Sequence, residues 1–416
     1  MRILFFSYYN PLGKGGFEKQ GMGLMKTLAS QGHELACLTV ATPDNANQIK
    51  SNLEATQIFK LGCFVIPHQE KKYSLKAKIL FWISSNPVDV ILGETSELKC
   101  QVDSIINIII NNAKIEVIHC LSLRTSYYLT SFTSYPLVLD LVDSYTNLKK
   151  RYIQYYLSNL QIKNFLLLYP ELIKTARIEK DILKKYSQFP VAVVSPVDKK
   201  CLLEINYQSP VFVVNHPHTL NISEKNELNM KPENKIITFY GSLDKANTTA
   251  LDYLIKDILP KVIQKHYNLK LLITGISLSE KIFNLEKTYD WIKVVPTVDN
   301  IEDFASQSTL NCWPFRLGTG FKNKIIESMA LSKPVVTTTI GAEALTESQK
   351  QGLLIADNAQ GLADHISYLL DNSDEALRLG KINHQIAITE FTWEKKAQDY
   401  LQLYELAKDN LKIKNQ

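Results

Sequence analysis

The chain alternates short apolar runs with amphipathic stretches from its first residues. Ile3 to Ser7 is an apolar strand, and from Phe17 the positions 17, 21, 24, 25 and 28 recur at helical spacing, with Gly21 the small member. Gly32 stops that helix and Leu35–Val40 begins the next strand. A strand, a helix and a second strand in that order predict a parallel sheet. Further strands are expected at Phe64–Ile66, Val88–Leu92, Val117–Cys120, Leu137–Leu141, Val191–Val194 and Val211–Val214. Several are unbroken apolar runs, the pattern of strands covered on both faces.

The alternation stops at Asn215–Lys235, a polar segment punctuated by Pro217 and Pro232, which reads as an interdomain linker. A second alternating half follows, with strands at Ile236–Tyr240, Leu269–Thr274, Ile292–Val295, Leu310–Trp313, Val335–Thr338 and Gly352–Ile355. Asp357 and Asn358 are placed to cap a helix that begins near Ala359. The tail from Trp393 to about Lys412 predicts a long helix, apolar at 393, 397, 400, 401, 404 and 407. The expected organisation is a first domain over 1–214, a linker over 215–235, a second domain over 236–390 and a terminal helix over 391–416. Two doubly wound α/β halves place a ligand in the crevice between them, at the carboxyl ends of the strands.

Composition narrows the classes. A chain of 416 residues suits two domains, and 45% hydrophobic with 21% charged residues is that of a soluble globular protein. No run approaches the length of a membrane-spanning helix, and the start MRILFFSYYNPLGKGG reads as a first core strand, not a signal peptide. Six scattered cysteines without a CxxC suit buried thiols in a reducing cytoplasm, not a disulfide frame or a zinc site. A net charge of +5 is too modest for a nucleic-acid binder. Two segments, Lys71–Ser85 and Leu148–Tyr186, are basic and aromatic together; Lys71–Ser85 reads either as a membrane-surface helix or as an ordinary helix with its apolar face on the core.

The densest chemistry lies at Leu317–Leu345, LGTGFKNKIIESMALSKPVVTTTIGAEAL. Gly318, Thr319 and Gly320 open into a helix that starts with Lys322 and Lys324, carries Glu327, and ends at Lys333-Pro334 before a short strand and Gly341. Helix-start N–H groups, the helix dipole and lysine charge form an anion site. A carboxylate one turn further in suits ribose hydroxyls. Alternatively, Lys324 and Glu327 are a solvated pair three apart and the glycines plain turn residues. Gly241 and Gly275 end strands where a loop faces the crevice, and His119 (EVIHC) ends one in the first half. Asp140 and Asp143 flank another strand end at a spacing that implies no metal. The loop with Gly13, Gly15 and Gly16 departs from the dinucleotide fingerprint, since Glu18 stands where its third glycine belongs.

These segments resemble one family, the retaining GT-B-fold glycosyltransferases of family 4. The likeness rests on PLGKGGFEKQGMGLMKTLASQGHEL, VVSPVDKKCL, FYGSLDKANTTALDYLIKDILP and the 317–345 stretch, which is similar to the signature G-x-G-x-K-x-K-x-x-E-A-M-A-x-G-x-P-V-V. The closing FTWEKKAQDYLQLYELA looks like the family's last helix, which crosses back onto the first domain. Departures are Thr319 at the first of two glutamates eight apart, Ser242 for an arginine, Asn215-His-Pro-His for Asn-Gly-Val-Asp, and His119-Cys-Leu for His-x-His.

The resemblance implies a GT-B fold of two Rossmann-like domains facing a central crevice. It implies transfer of a sugar from a UDP or GDP sugar to a glycan, lipid-linked, protein or other hydroxyl acceptor, in bacterial surface polysaccharide or glycoconjugate synthesis. No cofactor and no metal are expected, and no nucleic acid. The expected location is the cytoplasm, with peripheral contact at the inner membrane surface left open. His119, Lys322 and Glu327 carry the catalytic expectation. Donor contacts fall to Gly15, Gly16, Gly241, Lys245, Gly275, Pro296, Val298, Asp299, Gly318, Thr319, Gly320, Phe321, Lys322 and Glu327. Asp143 and Arg124 fall on the acceptor side. Rival readings are a catalytically silent scaffold of this fold, or a nucleotide-sugar epimerase.

Overall fold

A computed structural model describes the chain apart from residues 14, 71–86, 88–95, 130, 207, 209, 221–234, 277 and 415–416. The chain divides into two compact domains: Met1–Asn215 with Trp393–Gln416, and His216–Thr392. The strand expected at Val88–Leu92, the Lys71–Ser85 segment and most of the expected linker lie outside the described residues.

In the first domain the strands are β1 (Arg2–Ser7), β2 (Glu34–Ala41), β3 (Cys63–Pro67), β4 (Val117–Leu121), β5 (Leu137–Val142), β6 (Val191–Val193) and β7 (Val211–Val213). Among the described residues they form one sheet, ordered β3-β2-β1-β4-β5-β6-β7, and every pairing is parallel. The order reverses between β1 and β4, the point at which loops diverge and leave a crevice at the carboxyl ends. The sheet is buried on both faces, as its unbroken apolar runs require: Ile3, Leu4, Leu38, Ile118 and Leu139 are all fully covered.

Its helices include α1 (Gly16–Ser30), α2 (Leu123–Tyr128), α3 (Tyr145–Ser158), α4 (Ile162–Lys185) and α5 (Pro196–Ile205). α1 begins at the glycine loop and stops before Gly32, whose φ of +89° few other residues adopt.

The second domain holds β8 (Ile236–Tyr240), β9 (Lys270–Thr274), β10 (Ile292–Val294), β11 (Asn311–Trp313), β12 (Val335–Thr337) and β13 (Leu353–Ile355). Two three-stranded parallel sheets, β10-β9-β8 and β11-β12-β13, meet at a bridge between Ile237 and Leu310. Asn311 Nδ2 donates to Thr238 O at 3.2 Å across the same seam. The combined order again reverses, here between β8 and β11. Around these strands lie α6 (Lys245–Tyr253), α7 (Asn323–Ala330), α8 (Ala359–Asp371) and α9 (Ser373–Glu390). Asn358 caps α8, accepting from Gly361 N at 2.8 Å. Asp357 instead holds Thr339, from its N at 2.8 Å and its Oγ1 at 2.7 Å.

The terminal helix α10 (Trp393–Lys414) belongs to the first domain, where it packs on α1, β4 and β5. Ala397, Tyr400, Tyr404 and Ala407 recur at helical spacing and are buried there. A Cβ at Gly23 of α1 would lie 2.0 Å from Trp393 Cη2, so the bare glycine is what admits the tryptophan.

Candidate active site

The 317–345 stretch forms a glycine loop at the start of α7. Gly318 has φ +98° and Gly320 φ +71°, left-handed angles that few residues but glycine adopt. Lys322 Nζ donates to Thr319 O at 2.6 Å and lies 3.9 Å from Glu343 Oε1, with both side chains largely buried. The helix begins one residue later than the lysine pattern suggests. Lys322 is its N-cap, and only Lys324 is inside it. Lysine has no side-chain oxygen, so the first-turn N–H groups have no side-chain acceptor at this cap. Asn323 Oδ1 is also buried here without a hydrogen-bond partner among the described residues. Phe321 anchors the loop, its ring 5.5 Å from that of Phe391 and 5.7 Å from that of His216.

Glu327 is 5% exposed. Its carboxylate takes a 2.8 Å bond from Lys324 Nζ and a 3.3 Å bond from Thr219 Oγ1. Lys324 Nζ also lies 4.5 Å from the Tyr240 ring centroid. Burial pushes the Tyr240 phenol up, and the Glu327 charge adds to the shift. Ser328, next along the helix, accepts from Trp313 Nε1 at 2.9 Å and so fixes α7 against β11. The solvated-pair alternative fails on this burial.

The strand-end glycines converge on the same helix. Gly241 has φ +121°, and a Cβ there would lie 2.9 Å from Lys324 Cε. A Cβ at Gly275 would lie 2.4 Å from Gly241 O, so the turns after β8 and β9 touch backbone to backbone. The Pro296–Asp299 loop is stitched to that turn, with Thr297 Oγ1 donating to Gly275 O at 2.8 Å and Thr274 Oγ1 to Pro296 O at 3.0 Å. Val298 is half-buried and Asp299 exposed. Lys245 opens α6, and its neighbour Ala246 touches the Gly318 position, with Cβ 3.6 Å from where a Gly318 Cβ would be. The structure therefore brings together Gly241, Lys245, Gly275, Pro296, Gly318, Thr319, Gly320, Lys322 and Glu327 around one edge of the second domain. Thr219, Tyr240 and Glu343 are additions that no spacing rule singled out.

The first domain has a corresponding edge. Gly15 caps α1 and Gly16 begins it; Glu18 folds over this loop, 2.3 Å from where a Gly15 Cβ would be. Ser122, at φ +89°, caps α2. Arg124 in that helix stacks on Tyr8, with Cζ 3.9 Å from the ring centroid, and pairs with Glu70 at 2.7 Å. Arg124, Tyr9, Tyr127, Tyr145 and Lys149 line one cleft. Asp143 is half-buried just after β5, where Val142 holds φ +65°, a strained angle for a β-branched residue.

His119 is a correction. β4 runs on to Leu121, so His119 stands in mid-strand and is fully buried. Its Nδ1 meets Tyr404 Oη at 2.8 Å and its Nε2 lies 3.4 Å from Asp140 Oδ2. Tyr400 Oη donates to the same Asp140 oxygen at 2.5 Å. Burial lowers the pKa of His119 against the opposing pull of Asp140. For Asp140 burial acts upward, yet His119, Lys396 and Tyr400 together hold the carboxyl below its ordinary range. Lys396 is buried too, its pKa pushed down to about 8, and donates to Gln20 Oε1 at 3.1 Å. The cluster fastens α10 to the sheet and offers no surface to a substrate. Sequence spacing missed it because its members lie as far apart as Gln20 and Tyr404.

With this geometry in hand, comparison with known proteins defines the class. Over its full length the chain is similar to sucrose-phosphate synthase from Thermosynechococcus elongatus, at 17% identity and a TM-score of 0.65, covering 97% of this chain and 98% of that one. It is likewise similar to HepE from Anabaena, solved in complex with UDP, at 14% identity and a TM-score of 0.66, covering 97% and 99%. The fold is GT-B. Residues 234–372 match the family described as glycosyl transferases group 1. That match lies within the second domain. The spore coat protein SA of Bacillus subtilis (strain 168) is 24% identical over 215 residues, 46% of this chain. The chain spans about half the length of that curated relative, 55% of it.

Proposed function

We propose that the chain transfers a sugar from a nucleoside-diphosphate donor to a hydroxyl acceptor with retention at the anomeric carbon. The observation that carries this reading is the single helix turn that joins an uncapped N-terminus, the buried Lys322 and the buried Glu327. The diphosphate would lie on the first-turn N–H groups, with Lys322 Nζ turning from Thr319 O to a phosphate oxygen. Glu327 would exchange its Thr219 bond for the ribose hydroxyls, and Gly275 with the Pro296–Asp299 loop would face the base. A fixed helix end and a lysine stabilise the charge that develops on the leaving diphosphate. In this reading the leaving phosphate itself takes the acceptor's proton on the same face, so no carboxylate nucleophile, metal or cofactor is required. The solved complexes of HepE with UDP and with UDP-glucose support a uridine donor.

On the acceptor side the reading places Arg124 and Asp143, with a glycan, lipid-linked or protein hydroxyl as acceptor, in the cytoplasm and in surface-polysaccharide or glycoconjugate synthesis. Thr319, which lacks the carboxylate of the family's first glutamate, favours the rival of a silent scaffold. Calorimetry with UDP and GDP, followed by a donor-hydrolysis assay, separates the two. Binding with turnover supports the transferase. Binding without turnover of any UDP or GDP sugar assigns the scaffold.

A further inference from the structure

Helices α3 and α4 form a hairpin whose outer half is unlike the rest of the first domain. At its apex Leu160 is 83% exposed and holds φ +54°, a site where Gly or Asn would fold more easily. Along α4, Ile162, Leu166, Tyr169 and Ile173 follow one another at spacings of four, three and four, so they share one face, and each is about half exposed. Local folding favours none of these choices, since an exposed helix face is ordinarily polar. Continued along the same face, the next positions are Arg177, Lys180 and Lys184, all exposed. One stripe of one helix thus changes from apolar at the hairpin tip to basic towards the body.

Charge follows the same division. Between Tyr152 and Pro170 the only charged residue is Lys163. Over Tyr145–Lys185 as a whole there are nine Lys or Arg against three Asp or Glu, a balance of +6, when the entire chain carries +5. The hairpin therefore holds all of the protein's net positive charge. Two of its three acids, Glu171 and Glu179, are buried.

We infer that the α3–α4 hairpin docks the protein on an anionic lipid surface. The apolar tip would enter the headgroup–acyl boundary, and Arg177, Lys180 and Lys184 would meet anionic headgroups. Tyr169 stands on the apolar stripe itself and supplies the residue type found in interfacial aromatic belts. A second copy of the chain fits less well, because two hairpins of like charge would repel. No helix among the described residues is long and apolar enough to cross a membrane, so the contact is peripheral.

Sedimentation of the full chain with extruded vesicles tests this, using phosphatidylcholine alone and phosphatidylcholine with one quarter phosphatidylglycerol. Binding is expected to the anionic vesicles and to weaken with salt. Arg177→Gln, Lys180→Gln and Lys184→Gln together should weaken it about fivefold per charge, roughly a hundredfold in all. Leu160→Ser, Leu166→Ser and Tyr169→Ser together should lower it at least tenfold. Both variants should keep the wild-type UDP titration, which reports the second domain and stands or falls separately. Wild type that sediments with neither vesicle, or an apolar variant that binds as wild type does, overturns the inference. So does a lipid-free dimer that the apolar variant dissolves, since that assigns the face to a second copy.

Discussion

Lys324 Nζ stands 2.8 Å from Glu327 Oε2, with the glutamate side chain 7% exposed, so the pair is part of the domain interior and not a surface decoration. An exposed pair three apart is worth a few tenths of a kcal/mol; a buried one, cut on one side, leaves an uncompensated charge. The lysine is also pressed against Gly241 and faces Tyr240, which fixes where the carboxylate can be. A carboxylate so held, one turn inside a helix whose N–H groups lack a side-chain cap, is preorganised for a diol next to a diphosphate.

Glu327→Gln should accordingly weaken UDP binding by ten- to a hundredfold, about 1.5–3 kcal/mol for a lost charged hydrogen bond. Preference for UDP over 2′-deoxy-UDP should disappear in the variant. Titration of both proteins with both nucleotides checks this. Equal binding of the two nucleotides by wild type would defeat the ribose role.

Lys322→Ala removes the ammonium that now holds Thr319 O and lies by Glu343. Transfer should fall by one to two orders of magnitude, roughly 1.5–3 kcal/mol. The Gly-Thr-Gly loop also loses its tether, so the loss should fall partly on donor KM. Wild-type kinetics in a folded variant would refute the phosphate assignment.

Much of this architecture could be read from apolar periodicity. β8 matches its expected limits of Ile236–Tyr240, and the other described strands differ mainly at their ends, because parallel strands buried on both faces are continuous apolar runs. Gly241, Gly275 and the α7 loop could be read because strand-end glycines and helix starts have local signatures. His119 was placed at a strand end by its nearness to Cys120, whereas the strand runs on to Leu121 and leaves His119 at its middle. Thr219 and Tyr240 join Glu327 through tertiary packing across 108 and 87 positions, and no local rule reaches that far. The exposed stripe on α4 has ordinary amphipathic spacing; only its measured exposure shows which face is left open.

Asp140→Asn tests the buried cluster. It removes the charge that His119, Tyr400 and Lys396 all face, and leaves the buried Lys396 donating to the neutral Gln20 oxygens. Breaking such a network costs about 3–5 kcal/mol. Urea unfolding should show the loss, while UDP binding in the second domain is unchanged. A variant as stable as wild type that has lost transfer would return His119 and Asp140 to the chemistry.

Glu179 gives a pH dependence whose sign is fixed. It is fully buried in α4, accepting from Ser144 Oγ at 3.1 Å and Thr146 N at 3.3 Å at the start of α3. Burial raises its pKa to about 7, against the opposing effect of these hydrogen bonds. The folded state therefore binds a proton that the unfolded chain, with an ordinary carboxyl near 4.5, has released. Between those two values the native state holds more protons, so this group's contribution to stability falls as pH rises from about 4.5 to about 7. The full difference is up to about 3 kcal/mol. Glu179→Gln should remove that slope: thermal midpoints of variant and wild type should lie closest near pH 5 and diverge, with the variant higher, by pH 8. If the variant instead loses stability equally at both pH values, the carboxylate is needed charged to hold the Ser144 cap, and burial is not its dominant cost.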